Sequence, residues 1–141
     1  MNPADIDLAG QTFTAAKPPQ GFPTGVAVAF VNGDQSLVID DRIVIAPDSA
    51  TAEKAFEAGK GKLATALPDT TMTDAPVGQR GAMGVAKWKG GTKLANTITF
   101  HEGTAFVTME FDSPVNDPFP QGFPVAVAQK QDAAVKRGLP G

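Results

Sequence analysis

The sequence predicts an α+β domain: an antiparallel sheet of about five strands with two helices packed on one face, in the order ββα–βββα. Three observations lead there. Residues 84–111 contain three alternating segments divided by Gly90-Gly91 and Glu102-Gly103, two short turn signals. Ala52, Ala55, Phe56, Leu63 and Leu67 fall at helical spacing, and Val127, Ala134, Val135 and Leu139 do so again near the C-terminus. The chain has 141 residues, 42% of them hydrophobic and 19% charged, which suits one globular domain with a real core.

Residues 1–24 are rich in Pro, Gly and Ala and read as an extended lead-in, with a short strand at 6–13; the domain proper is 25–141. Val26–Val31 is a strand, Asn32-Gly33 a hairpin turn, and Leu37–Ile45 a second strand bent at Asp40-Asp41. Pro47-Asp48-Ser49 opens a helix with Asp48 or Ser49 as N-cap; Gly59 and Gly61 weaken its middle, and Pro68 ends it. Residues 69–79 read as a loop. The meander follows, as Gly84–Lys89, Thr92–His101 and Thr104–Phe111. With Glu102-Gly103 as its second turn, Phe100 faces Ala105, Ile98 faces Val107 and Asn96 faces Met109, so one face is core. After a loop at 113–118, Phe119–Arg137 reads as a helix closed by Gly138 and Pro140.

Pro19-Gln20-Gly21-Phe22-Pro23 recurs as Pro120-Gln121-Gly122-Phe123-Pro124, each copy followed by alternating Val and Ala. Two copies are too few for a solenoid. Pro sets φ, Gly permits positive φ and Phe anchors a turn, so the string is structural.

Several function classes are excluded or disfavoured. A net charge of −3 without a basic cluster argues against nucleic acid. No apolar run approaches the roughly 18 residues of a membrane helix. The absence of Cys removes disulfides, thiolate metal ligands and thiol nucleophiles. His101 is the only His and reads as a solvent-exposed residue at a hairpin end. Ser36, Ser49 and Ser113 lack a nucleophile elbow. Asp40, Asp41, Glu110, Asp112 and Asp117 lack the spacing of a calcium loop. Gly78–Gly84 precedes a strand, whereas a phosphate cradle opens a helix. No catalytic residue, cofactor or metal is therefore expected. Met1-Asn2-Pro3-Ala4 has neither the basic nor the apolar region of a signal peptide.

Ala52–Phe56 (AEKAF), Ala75-Pro76-Val77-Gly78, the hairpin Ile98–Gly103 and the closing helix Val127–Leu139 resemble segments of small secreted proteins and lipoproteins of actinobacteria. The element order is similar to that of the Mog1/PsbP-like lipoproteins of mycobacteria. The resemblance implies an α+β fold and an extracytoplasmic location, secreted or anchored as a lipoprotein, and it implies no activity.

The second face of the meander carries the functional weight. Trp88, Thr97, Thr99, Phe106 and Thr108 would share it, with His101 at its rim. Aromatic and Thr side chains on a sheet face suit a glycan, an amphiphile or a protein partner, unless a helix covers them. The leading expectation is a non-enzymatic cell-envelope module that binds a protein, glycan or lipid partner through this face. The alternative is a lipid or amphiphile carrier with a cavity between sheet and helices. An enzyme would require Asp or Glu side chains to converge with His101 or Arg80 in a cleft.

Overall fold

The computed structural model describes residues 1–16 and 25–139. A short 3₁₀ turn, Pro3–Asp5, precedes seven strands and two helices: β1 (Thr14–Ala16), β2 (Val26–Val31), β3 (Val38–Ile45), α1 (Ser49–Ala66), β4 (Thr71–Asp74), β5 (Arg80–Trp88), β6 (Lys93–Glu102), β7 (Ala105–Pro114) and α2 (Phe123–Gly138). The strands form one antiparallel sheet in the order β1-β2-β3-β7-β6-β5-β4. Two meanders thus meet where β3 pairs with β7. The class is α+β as expected, but the sheet has seven strands in place of about five.

The two extra strands lie at the edges. β1 follows the stretch 6–13 where a strand was expected. β4 falls in the expected loop 69–79; its four residues are mostly exposed and include polar Thr71, Thr73 and Asp74, so they carry no apolar alternation. The lead-in is part of the packing, because Ile6 and Phe13 are buried in the core. The first copy of the repeated string, 19–23, lies outside the described residues. In the second copy Gly122 takes φ +82 and Phe123 stacks on Phe119, 5.2 Å between ring centroids, with both rings edge-on to Phe111. That left-handed glycine starts α2 at Phe123, four residues later than expected, and Pro124 fills the first turn.

Register corrects three turns. β6 and β7 join through Gly103-Thr104, so Phe100 faces Val107 and Ile98 faces Met109. Gly103, at φ +55, takes the first central position, which a type II′ turn reserves for glycine. The pairing is two residues away from that expected, and because side chains alternate with period two, each side chain keeps its face. The β5–β6 pairing is as expected, but its turn spans residues 89–92. Asn32-Gly33 is no two-residue hairpin: residues 32–37 form the loop, and the Asn32 side chain holds it by accepting from Leu37 N and donating to Ser36 Oγ and Gln11 Oε1.

The helices do not share a face. α2 covers the front, where Val127, Ala128 and Val135 join Ile39, Ile98, Phe100, Val107, Met109 and Phe111 in the core. α1 lies on the back, with Phe56 against His101 and Gly59 against Phe106. The reason is that both faces of the central strands need cover. Along β6 buried residues run without a break from Thr97 to His101, the pattern of a strand enclosed on both sides. The crossover from β3 to β4 carries α1 across that back face.

Candidate functional site

The back face is the surface expected to make contacts, and α1 shapes what remains of it. Asp48 caps the helix, its carboxylate accepting from Thr51 N at 2.7 Å. The helix presents Phe56, Gly59 and Leu63 to the sheet. Phe56 meets the His101 ring at 5.6 Å between centroids, and the Arg80 guanidinium lies 5.1 Å from the Phe56 ring centre. Arg80 also pairs with Glu53, at 3.4 Å, and with Glu57, which ties α1 to β5.

The six expected contact residues do lie on this face, but only partly in reach of a partner. Thr97, Thr99 and His101 are 8%, 1% and 5% exposed; Trp88, Phe106 and Thr108 are half-buried. Thr99 Oγ1 donates to Val107 O at 3.2 Å and lies 3.4 Å from Thr108 Oγ1. His101 is no exposed hairpin-end residue: Phe56 covers it, and neither ring nitrogen has a hydrogen-bond partner among the described residues.

Among the described residues, openings lie at both ends of α1. One, about 360 Å³, sits at the helix N-terminus and is lined by Ser49, Ala50, Glu53, Gln79, Arg80 and His101. It gathers a carboxylate with Arg80 and His101, as the enzyme reading required. Among the described residues no carboxylate bonds to the imidazole, and both of its ring nitrogens are buried.

The other opening, about 280 Å³, is an apolar groove under the second half of α1. Its floor is Gly84, Ala86 and Ala95; Leu63 packs directly on Gly84, where a Cβ would lie 2.9 Å from the Leu63 Cγ, and Ala66 and the C-cap Leu67 form the helix side of the opening. Trp88 on β5 and Glu110 on β7 stand on opposite sides of that floor. The Trp88 indole N–H is buried and has no hydrogen-bond partner among the described residues, an orphan donor in a mostly apolar lining.

Glu110 belongs to a second feature that the sequence reading did not assemble. It faces Asp40 directly across β3 and β7, with Asp112 two residues along the same strand, and the three offer oxygens within 4.8 Å of one another. Burial, followed by the neighbouring Glu110 carboxylate, pushes Asp112 up to about 8. The same two causes raise Asp40, opposed by Arg42. Three carboxylates could take a hard divalent cation, although calcium asks for about six to eight oxygens. The available signal was Asp40, Glu110 and Asp112 at alternate positions on two strands, which places them on one face. The β3–β7 pairing that brings them together is not readable from spacing.

In comparison with known proteins, the chain matches no family model, no curated sequence and no solved structure at a significant level. Among the described residues no helix is long and apolar enough to cross a membrane.

Proposed function

We propose that this chain is a non-enzymatic binding module whose ligand is a small amphiphile held in the groove between α1 and the sheet. The observation that carries the reading is the floor of Gly84, Ala86 and Ala95 beneath Leu63 and Leu67, closed on one side by Trp88. Small-molecule pockets run from about 300 to 1,000 Å³. A groove of about 280 Å³ therefore suits one short chain or ring system, not a two-chain lipid. A broad protein or glycan contact through the whole back face is disfavoured, since α1 already buries Thr97, Thr99 and His101.

Trp88 is the only Trp and the chain has no Tyr, so its emission reports on the groove alone. Titration with 1-octanol should give a saturable shift, and Ala66→Phe, which places a ring at the exposed helix side of the groove, should abolish it. No saturable shift in the parent chain would overturn the reading. Native mass spectrometry of protein from its own host should show an adduct lost on organic extraction.

The module is further proposed to work in the cell envelope, with a Mog1/PsbP-like order of elements. The resemblance of AEKAF, APVG and the final hairpin and helix to actinobacterial secreted proteins supports this. Recovery of the native protein in the cytosol alone would count against it.

A further inference from the structure

We infer that the groove is selective for a small organic cation, an alkyl or aryl ammonium whose apolar body lies between Leu63, Leu67 and Trp88 and whose head meets Glu110. The inference rests on the groove being a binding site and adds the chemistry of its occupant.

Charge complementarity carries it. Among the described residues Glu110 is the one ionisable residue of the groove lining, and it also belongs to the Asp40–Glu110–Asp112 cluster, so the apolar space ends at one carboxylate with two more close to it outside the lining. The charged groups that bear on the cluster are Arg42 on β3, beside Asp40, and Lys93 on β6, towards Asp112. Three acidic groups thus stand against two basic ones at one end of an apolar slot. Burial and the Glu110 carboxylate raise Asp40 and Asp112, so negative charge is disfavoured beside Glu110, and Asp112, at about 8, keeps its proton through most of the neutral range. A cationic head at Glu110 would favour ionisation of its neighbours, whereas an anionic head would add like charge to the cluster.

An ammonium also matches the groups present. It brings donors and no acceptor, and an ionised carboxylate accepts only, so the head pairs with the carboxylate side of the groove and not with the Trp88 N–H. On the opposite side, Trp88 already carries a cation over its ring, the Lys89 ammonium 5.4 Å from the centroid, so its surroundings tolerate positive charge. A bare metal ion would use the carboxylates and leave the adjoining Leu63, Ala86 and Ala95 surface without a role. An amphiphilic cation uses both.

The test compares three probes of equal chain length, each below its micelle concentration: octylammonium chloride, 1-octanol and sodium octyl sulfate. Trp88 emission and titration calorimetry on the full chain read the binding. Octylammonium should bind about tenfold more tightly than octanol, the scale of one hydrogen bond to a charged group. Octyl sulfate should bind more weakly than octanol. Glu110→Gln should bring octylammonium down to the octanol affinity and leave octanol unchanged, and added salt should weaken octylammonium alone. If Glu110→Gln does not fold, the salt dependence of octylammonium binding to the parent chain, against that of octanol, tests the same preference. Equal affinities for octylammonium and octanol, or indifference to Glu110→Gln or to salt, would overturn the cation preference while the groove still binds. No saturable binding of any probe would overturn the groove reading as well.

Discussion

Gly59 of α1 rests on Phe106 of β7 so closely that a Cβ at position 59 would lie 2.8 Å from the Phe106 Cζ and 3.6 Å from Thr99 Oγ1. The residue that weakens the helix as a helix is the one that lets it lie down on the sheet. Gly61, one turn's half away, has open space around its own position. The same substitution should therefore have opposite signs at the two sites. Gly61→Ala should stabilise by about 0.5–1 kcal/mol through helix propensity. Gly59→Ala should destabilise by about 1 kcal/mol, overpacking outweighing that gain. Urea unfolding of the two variants decides it; equal signs would mean that α1 does not sit against Phe106 as described.

Gly78 and Gly122 both take left-handed backbone, at φ +66 and +82, but only Gly78 is crowded: a Cβ there would lie 2.5 Å from the His101 carbonyl oxygen. Gly122→Ala should cost about 1 kcal/mol, the price of φ alone. Gly78→Ala should cost about 3 kcal/mol or more, since backbone must move too. Comparable midpoints in a denaturant series would contradict the close approach of the 75–78 turn to the end of β6.

His101 and Thr99 are both buried under α1 but differ in what they bond. Thr99→Val should lose about 1 kcal/mol with its bond to Val107 O. Among the described residues His101→Leu removes no side-chain hydrogen bond and forfeits the ring contact with Phe56, so its cost should stay below about 1 kcal/mol. A loss of 2 kcal/mol or more on His101→Leu would reveal a partner for the imidazole and revive a chemical role for it.

Asp41, 3% exposed on the front face between Val28 and Met109, is pushed up to about 7 by burial. A carboxyl whose folded value lies above its unfolded one stabilises the fold fully below about pH 4, and that contribution is lost as pH rises through 7. Asp112, at about 8, acts with the same sign. Stability should therefore fall between pH 4.5 and 8.5. Asp41→Asn should flatten the slope and be the more stable form at pH 8, by on the order of 2 kcal/mol. Thermal melts across that range that rise or stay level would rule out a buried Asp41.

Much of the fold is legible in local chemistry. The apolar alternation of Lys93–Phe111 defines β6 and β7, and Gly103 defines their turn. The period-two rule kept Thr97, Thr99, His101, Phe106 and Thr108 on one face even though the expected pairing was two residues out. The helical stripes of 52–67 and 127–139 located α1 and α2, and the Asp48 cap located the start of α1. These features depend on neighbours in the chain, so spacing records them.

Tertiary structure alone decided which side each helix took. An apolar stripe says that a helix needs a sheet face, and both faces of β6 needed a helix; only the path from β3 to β4 sent α1 to the back. That choice buried Thr97, Thr99 and His101 and left the groove between Trp88 and Glu110. The pairing of β3 with β7 likewise joined Asp40 to Glu110, strands far apart in sequence whose charges meet only when the two meanders close into one sheet. Groove and carboxylates both arise from long-range pairing, which no local pattern encodes.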